Sequence, residues 1–153
     1  MPENETNIDP LSMPAGEVDT RFPRLQPDRV YRMTIADAVN DESKSTPGNR
    51  LLTFKLATTK DETDTDGKVL HSGFPIYHRI TITSTPDRTA KDIARDCALL
   101  LKAIGKGKVS PKELIDNPAG IAKDQLVDVK VGLQKAKDGF PESNKVSSFV
   151  IPS

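Results

Sequence analysis

The apolar residues of this chain change period twice along its length, and that limits what it can fold into. In VYRMTIADA (30–38), Tyr31, Met33 and Ile35 alternate with Arg32 and Thr34. A period of two marks a strand with one buried face. RLLTFKLAT (50–58) repeats the pattern, setting Leu52, Phe54 and Leu56 against Thr53 and Lys55. FPIYHRITIT (74–83) does so again, with Ile76, His78, Ile80 and Ile82 on one face and Tyr77, Arg79 and Thr81 on the other. In TPDRTAKDIARDCALLLKAIG (85–105) the spacing becomes three and four. Ala90, Ile93, Ala94, Cys97, Leu100, Leu101 and Ile104 then form one helical stripe. The period returns to two in QLVDVKVGL (125–133) and, less cleanly, in NKVSSFVIP (144–152).

Punctuation sharpens these boundaries. Thr85 is the expected N-cap of the helix, with Pro86 at the first helical position and Asp87 at the positive end. Gly105 is the expected stop, with Lys102 and Lys106 near the negative end. Ser110 and Glu113 around Pro111 predict a short helix over SPKELID (110–116). NDESKSTPGN (40–49), KDETDTDG (60–67) and QKAKDGFPESN (134–144) read as loops.

Three strands, a helix and two strands predict a mainly β fold with one long helix. Five short strands must manage their edges. A five-stranded OB-like β-barrel (β-β-β-α-β-β) does so, with the helix plugging one end. The alternative is an open antiparallel α+β sheet with the helix on one face. Residues 1–28 carry five prolines and few large apolar groups. They predict an acidic, proline-rich, flexible arm in front of an OB-like domain over 29–153, with Leu11, Met13, Phe22 and Leu25 as its docking candidates.

The formal net charge is zero, from 22 Lys+Arg and 22 Asp+Glu. It is unevenly spread. Residues 1–28 hold two arginines and six acids, a balance of −4, which leaves +4 on the rest. A mildly basic body admits a polyanion partner without demanding one. No apolar run approaches 18 residues, so no membrane span is expected. The opening MPENETNIDP has no apolar core and does not read as a secretory signal. Cys97 is the only cysteine, which fits a reducing, cytoplasmic setting.

Catalytic motifs do not emerge. GKGK (105–108) follows a helix, whereas a phosphate cradle precedes one. Glu62, Asp64, Asp66 and Gly67 imitate part of a calcium loop, but Gly73 stands where the bidentate Glu belongs. His71, His78 and Cys97 lack the spacing of a metal site, and the carboxylates have no convergent acid–base partner. The chain therefore reads as a non-enzyme without metal or cofactor.

The binding signals are stronger. Single-strand binders combine Lys and Arg with aromatic platforms. In an OB arrangement the second and third strands and the loops after the first and fourth bring such residues to one surface. That set is Arg32, Lys44, Arg50, Lys55, Tyr77, Arg79, Lys135, Lys137, Phe140 and Lys145. Each has a plainer reading: Tyr77 covering a sheet edge, Phe140 capping a barrel rim, the lysines maintaining solubility.

VYRMTIADAV, LLTFKLAT, IARDCALLLKAIG and the closing LVDVKVGLQK…ESNKVSSFVIP together resemble a group of phage and prophage OB-fold single-stranded-DNA-binding proteins, over roughly residues 29–152. The resemblance implies single-stranded DNA as partner, a role in replication or recombination, and the host cytoplasm as location. It also implies contacts with replication or recombination proteins through the N-terminal arm, and leaves self-association open. The chain departs from such proteins in placing its acidic segment at the N-terminus. The competing expectation is a phage virion or assembly protein using the same barrel and arm for protein contacts.

Overall fold

All five period-two runs form strands, and together they make one antiparallel sheet. The structure is a computed structural model and describes residues 9–17, 23–44, 46–135 and 143–152. In chain order the strands are β1 (Arg29–Glu42), β2 (Arg50–Thr58), β3 (Glu62–Thr63), β4 (Val69–Leu70), β5 (Pro75–Thr81), β6 (Leu126–Gln134) and β7 (Ser143–Val150). The main sheet runs β5-β2-β1-β6-β7, and β3 pairs with β4 in a small separate hairpin. Helices α1 (Ala90–Ala103), α2 (Pro111–Asp116) and α3 (Pro118–Ala122) lie between β5 and β6.

β1 organises the sheet because it is long and bulged. Its first part pairs with β6 and its second with β2. The pairing with β2 jumps from Ile35–Leu56 to Asp37–Lys55, so Ala36 is the extra residue. A bulge bends a strand and resets which side chains face inward. Tyr31, Met33 and Ile35 point into the core before the bulge and Ala38 after it. Leu52, Phe54 and Leu56 of β2, Ile76 and Ile80 of β5, and Val127, Val129 and Val131 of β6 meet them.

Two expectations about this architecture need correction. The sheet is not closed into a barrel. Among the described residues β5 pairs only with β2 and β7 only with β6. These outer strands approach each other, but their contact is made by side chains: the rings of His78 and Phe149 meet edge to face at 5.0 Å. β7 also bulges at Ser147, and a bulge interrupts the even edge that a ladder needs. A Cβ on Gly132, the neighbour in β6, would collide with Ser147.

The helix is also not long. α1 has fourteen residues, and its N-cap is Thr89 rather than Thr85. Thr85 and Arg88 exchange backbone hydrogen bonds at 2.9 and 3.0 Å, closing a turn around Pro86 and Asp87. The Thr89 hydroxyl accepts from the Asp92 N–H, and the Thr89 N–H donates to the Asp92 carboxylate. This capping box satisfies the first-turn donors better than Pro86 could. Ile93, Cys97, Leu100 and Leu101 form the buried stripe. Gly105, at φ 76°, ends the helix in the left-handed conformation that glycine adopts readily.

Leu25 docks before the first strand and is fully buried. Its N–H donates to Asn144 Oδ1 at 2.7 Å, and Asn144 Nδ2 donates to its carbonyl at 3.0 Å. On its other side Leu25 bridges to Asp64 of the β3–β4 hairpin. Leu11, by contrast, is exposed, and Phe22 lies outside the described residues. The calcium-like loop is the tip of that hairpin. The Asp64 carboxylate is committed to it, accepting from the Asp66 and Lys68 N–H groups at 2.8 and 2.9 Å.

Candidate nucleic-acid interface

The outward faces of β2 and β5 carry the most concentrated set of the expected residues. Antiparallel pairing places Lys55 directly opposite Tyr77, and Thr53 opposite Arg79. Residues 77 and 79 share a face because strand side chains alternate. The Arg79 guanidinium consequently lies 5.7 Å from the Tyr77 ring centroid, within cation–π range. Tyr77 is 47% exposed, a large aromatic surface left in water. Among the described residues Arg79 and Lys55 have no carboxylate partner.

A groove of about 490 Å³ continues this face toward the β1–β2 loop. Arg79 and Thr53 line one part of it, Lys44 and Ser43 another, with Val39 and Leu51 between. Lys44, Lys55, Tyr77 and Arg79 thus belong to one continuous surface. The same surface carries acids. Asp37 stands opposite Lys55, while Asp41 and Glu42 line the groove. Sequence periodicity missed Asp37, Val39 and Asp41. Counting on from Tyr31, Met33 and Ile35 sends them inward, and only the bulge at Ala36 turns them out. The nearest signal was the pair of alanines, Ala36 and Ala38, in IADAV, where a strand loses packing side chains.

Other expected residues are placed elsewhere. Arg32 is outward on β1, but on the side that pairs with β6. There it forms a two-pronged ion pair with Asp128, at 2.9 and 3.1 Å. That hydrogen bond and charge raise the Arg32 pKa and hold the Asp128 carboxyl below its usual range. The Arg32 charge is therefore answered within the protein. Arg50 also departs from the expected surface, because its inward parity turns it toward Asn40. Its guanidinium donates to the Asn40 side-chain oxygen at 2.8 and 3.0 Å and to the Asn40 carbonyl at 3.1 Å. Asn40 in turn donates to the Ile115 carbonyl, tying β1 to α2. Arg50 is a structural strut.

Lys135 and Lys145 are exposed on the β6–β7 hairpin. Lys145 lies two residues before Ser147, which shares a cavity with Arg79. Lys137 and Phe140 lie outside the described residues.

His78, the inward residue between Tyr77 and Arg79, is packed between Phe54, at 6.4 Å, and Phe149, at 5.0 Å. Burial lowers its pKa, against a smaller opposing pull from Asp96. Burial pushes the Cys97 thiol up to about 11, which keeps it protonated and unreactive at neutral pH. Among the described residues no three His, Cys, Asp or Glu side chains converge as metal donors, and no helix is long and apolar enough to cross a membrane. Compared with family models and with curated proteins, the chain matches none.

Proposed function

We propose that this protein is a non-catalytic, phage-type single-stranded-DNA-binding protein with an OB-like fold, acting in replication or recombination. One observation carries the reading: the exposed cluster of Tyr77, Arg79 and Lys55 on the second and third long strands, continued by a groove to Lys44. Exposed aromatic rings flanked by unpaired cations stack bases and neutralise phosphates without regard to sequence. The strand order β5-β2-β1-β6-β7, with the helices inserted between β5 and β6, supports the OB reading, since that fold binds single strands on this pair of strands.

The groove acids limit the electrostatic share. Lys44, Lys55 and Arg79 face Asp37, Asp41 and Glu42, so stacking carries more of the affinity than charge does. Affinity for oligo-dT should fall as salt rises, with the modest slope of a few phosphate contacts. Fluorescence anisotropy at low and moderate salt tests this, and no binding at low salt overturns it.

A second reading, a virion or assembly protein, draws on a different surface. Val30, Leu126 and Val150 are all exposed around the neutralised Arg32–Asp128 pair. Exposed apolar groups around a self-satisfied ion pair suit a protein partner better than a polyanion. Co-purification with capsids, together with indifference to oligo-dT, would favour it.

A further inference from the structure

The unclosed seam between β5 and β7 contains a cavity of about 260 Å³ floored by α1. Its apolar walls are Ile80, Leu99, Phe149 and the half-buried ring of His78, and Arg79 and Ser148 add polar groups. Leu99, at 41% exposure, stands partly in solvent, as do Arg79 and Ser148. The volume lies just below the ~300–1,000 Å³ typical of drug-sized ligand sites, so one ring system fits better than an extended molecule.

We propose that this seam cavity receives one unstacked nucleobase of the bound strand. The inference rests on the single-strand reading above and extends it from a stacking face to a base subsite. Arg79 lines both the groove and the seam. A phosphate held by its guanidinium places one neighbouring base over Tyr77 and the next at the seam. The walls suit a neutral heteroaromatic ring: they are aromatic and aliphatic, and burial keeps His78 uncharged at neutral pH. The rim suits the edge of such a ring. The Ser148 hydroxyl is exposed, and the facing edges of β5 and β7 share no ladder that would occupy their backbone groups. A phosphate itself does not fit, because Asp96 also lines the cavity and its carboxylate is already held by Arg88 at 2.8 Å.

The test scans a single 2-aminopurine along the shortest oligo-dT that the full chain binds, so that only one register is available. One position should brighten, reporting a base removed from the stack. Leu99→Trp and Ser148→Trp each fill the cavity from an exposed position, with thermal unfolding as the check on folding. Each should abolish the bright position and weaken binding about 5- to 150-fold, the loss expected for one base contact. Oligo-dT that binds with no bright position, or that binds both variants as it binds the natural protein, overturns the base subsite alone. Failure of the natural protein to bind at low salt overturns the subsite together with the reading beneath it.

Discussion

Leu25→Ala removes a side chain that lies before the first strand yet is fully buried. Leu→Ala in a core costs about 2–5 kcal/mol, depending on how far the surroundings collapse into the hole. Here one wall is the small β3–β4 hairpin, held to the segment by the Leu25–Asp64 bridge and by Gln26 Nε2 bonds to the Thr63 and Asp64 carbonyls. A peripheral hairpin relaxes more readily than a central sheet, so we expect the lower half of that range, about 2–3 kcal/mol. For a chain of this size that is about 4–12 °C in Tm. Asn144→Ala attacks the same segment by another route. It deletes two hydrogen bonds to the Leu25 backbone and leaves both groups unpaired, at about 1–3 kcal/mol for each group that water does not reach. Because both changes release one segment, the double variant should cost clearly less than the sum of the two. Urea unfolding of the three variants measures the energies, and amide exchange at Leu25 measures the docking. A loss below about 1 kcal/mol for Leu25→Ala, or strict additivity with Asn144→Ala, would refute the idea that this segment is part of the core.

Two further outcomes follow from the half-buried His78 and the buried Cys97. His78 has a folded pKa below its unfolded value near 6.5, so the unfolded chain binds the extra proton first. Stability should therefore fall as pH drops through about 6.5, and His78→Phe should flatten that slope in urea titrations from pH 7.5 to 5. An unchanged slope in the variant would place the titrating group elsewhere. Cys97 is buried with its thiol pushed up to about 11, so it should resist a thiol reagent in the native state and react at once in denaturant. Fast native labelling would contradict its place on the inner stripe of α1.

Periodicity alone made most of the fold legible. The alternation of Leu52, Phe54 and Leu56, or of Ile76, His78 and Ile80, is a local consequence of one buried face, and both runs form strands as expected. Features that depend on tertiary context were not legible. On paper Thr85, followed by Pro86, reads as the cap, but the structure gives that place to Thr89. Arg88 helps to decide between them, because its guanidinium reaches the Thr81 carbonyl at 2.7 Å and Asp96 at 2.8 Å and fixes the turn. The bulge at Ala36 has no turn residue to announce it, yet it reverses the parity of Asp37, Val39 and Asp41 and brings acids onto the candidate face. Arg50 was expected on that surface as the end of the loop after the first strand; it instead opens β2, and its parity puts it with Leu52, on the other side. Asn144 reads in the sequence only as the start of the closing strand, and in the structure it is the clasp on Leu25. Tyr77, Arg79 and Lys55 were legible because outward position on a strand follows from period two, and cross-strand register then brought them together.

The central claim is that the β2–β5 face holds single-stranded DNA, and oligo-dT affinity of three variants at one fixed salt tests it most directly. Tyr77→Ala should lose about 5- to 150-fold, the worth of one stacked base, and Arg79→Ala a comparable amount. Arg32→Ala should stay close to the natural protein, because its charge is answered by Asp128. Affinity untouched by Tyr77→Ala, or lost most heavily with Arg32→Ala, would contradict the account.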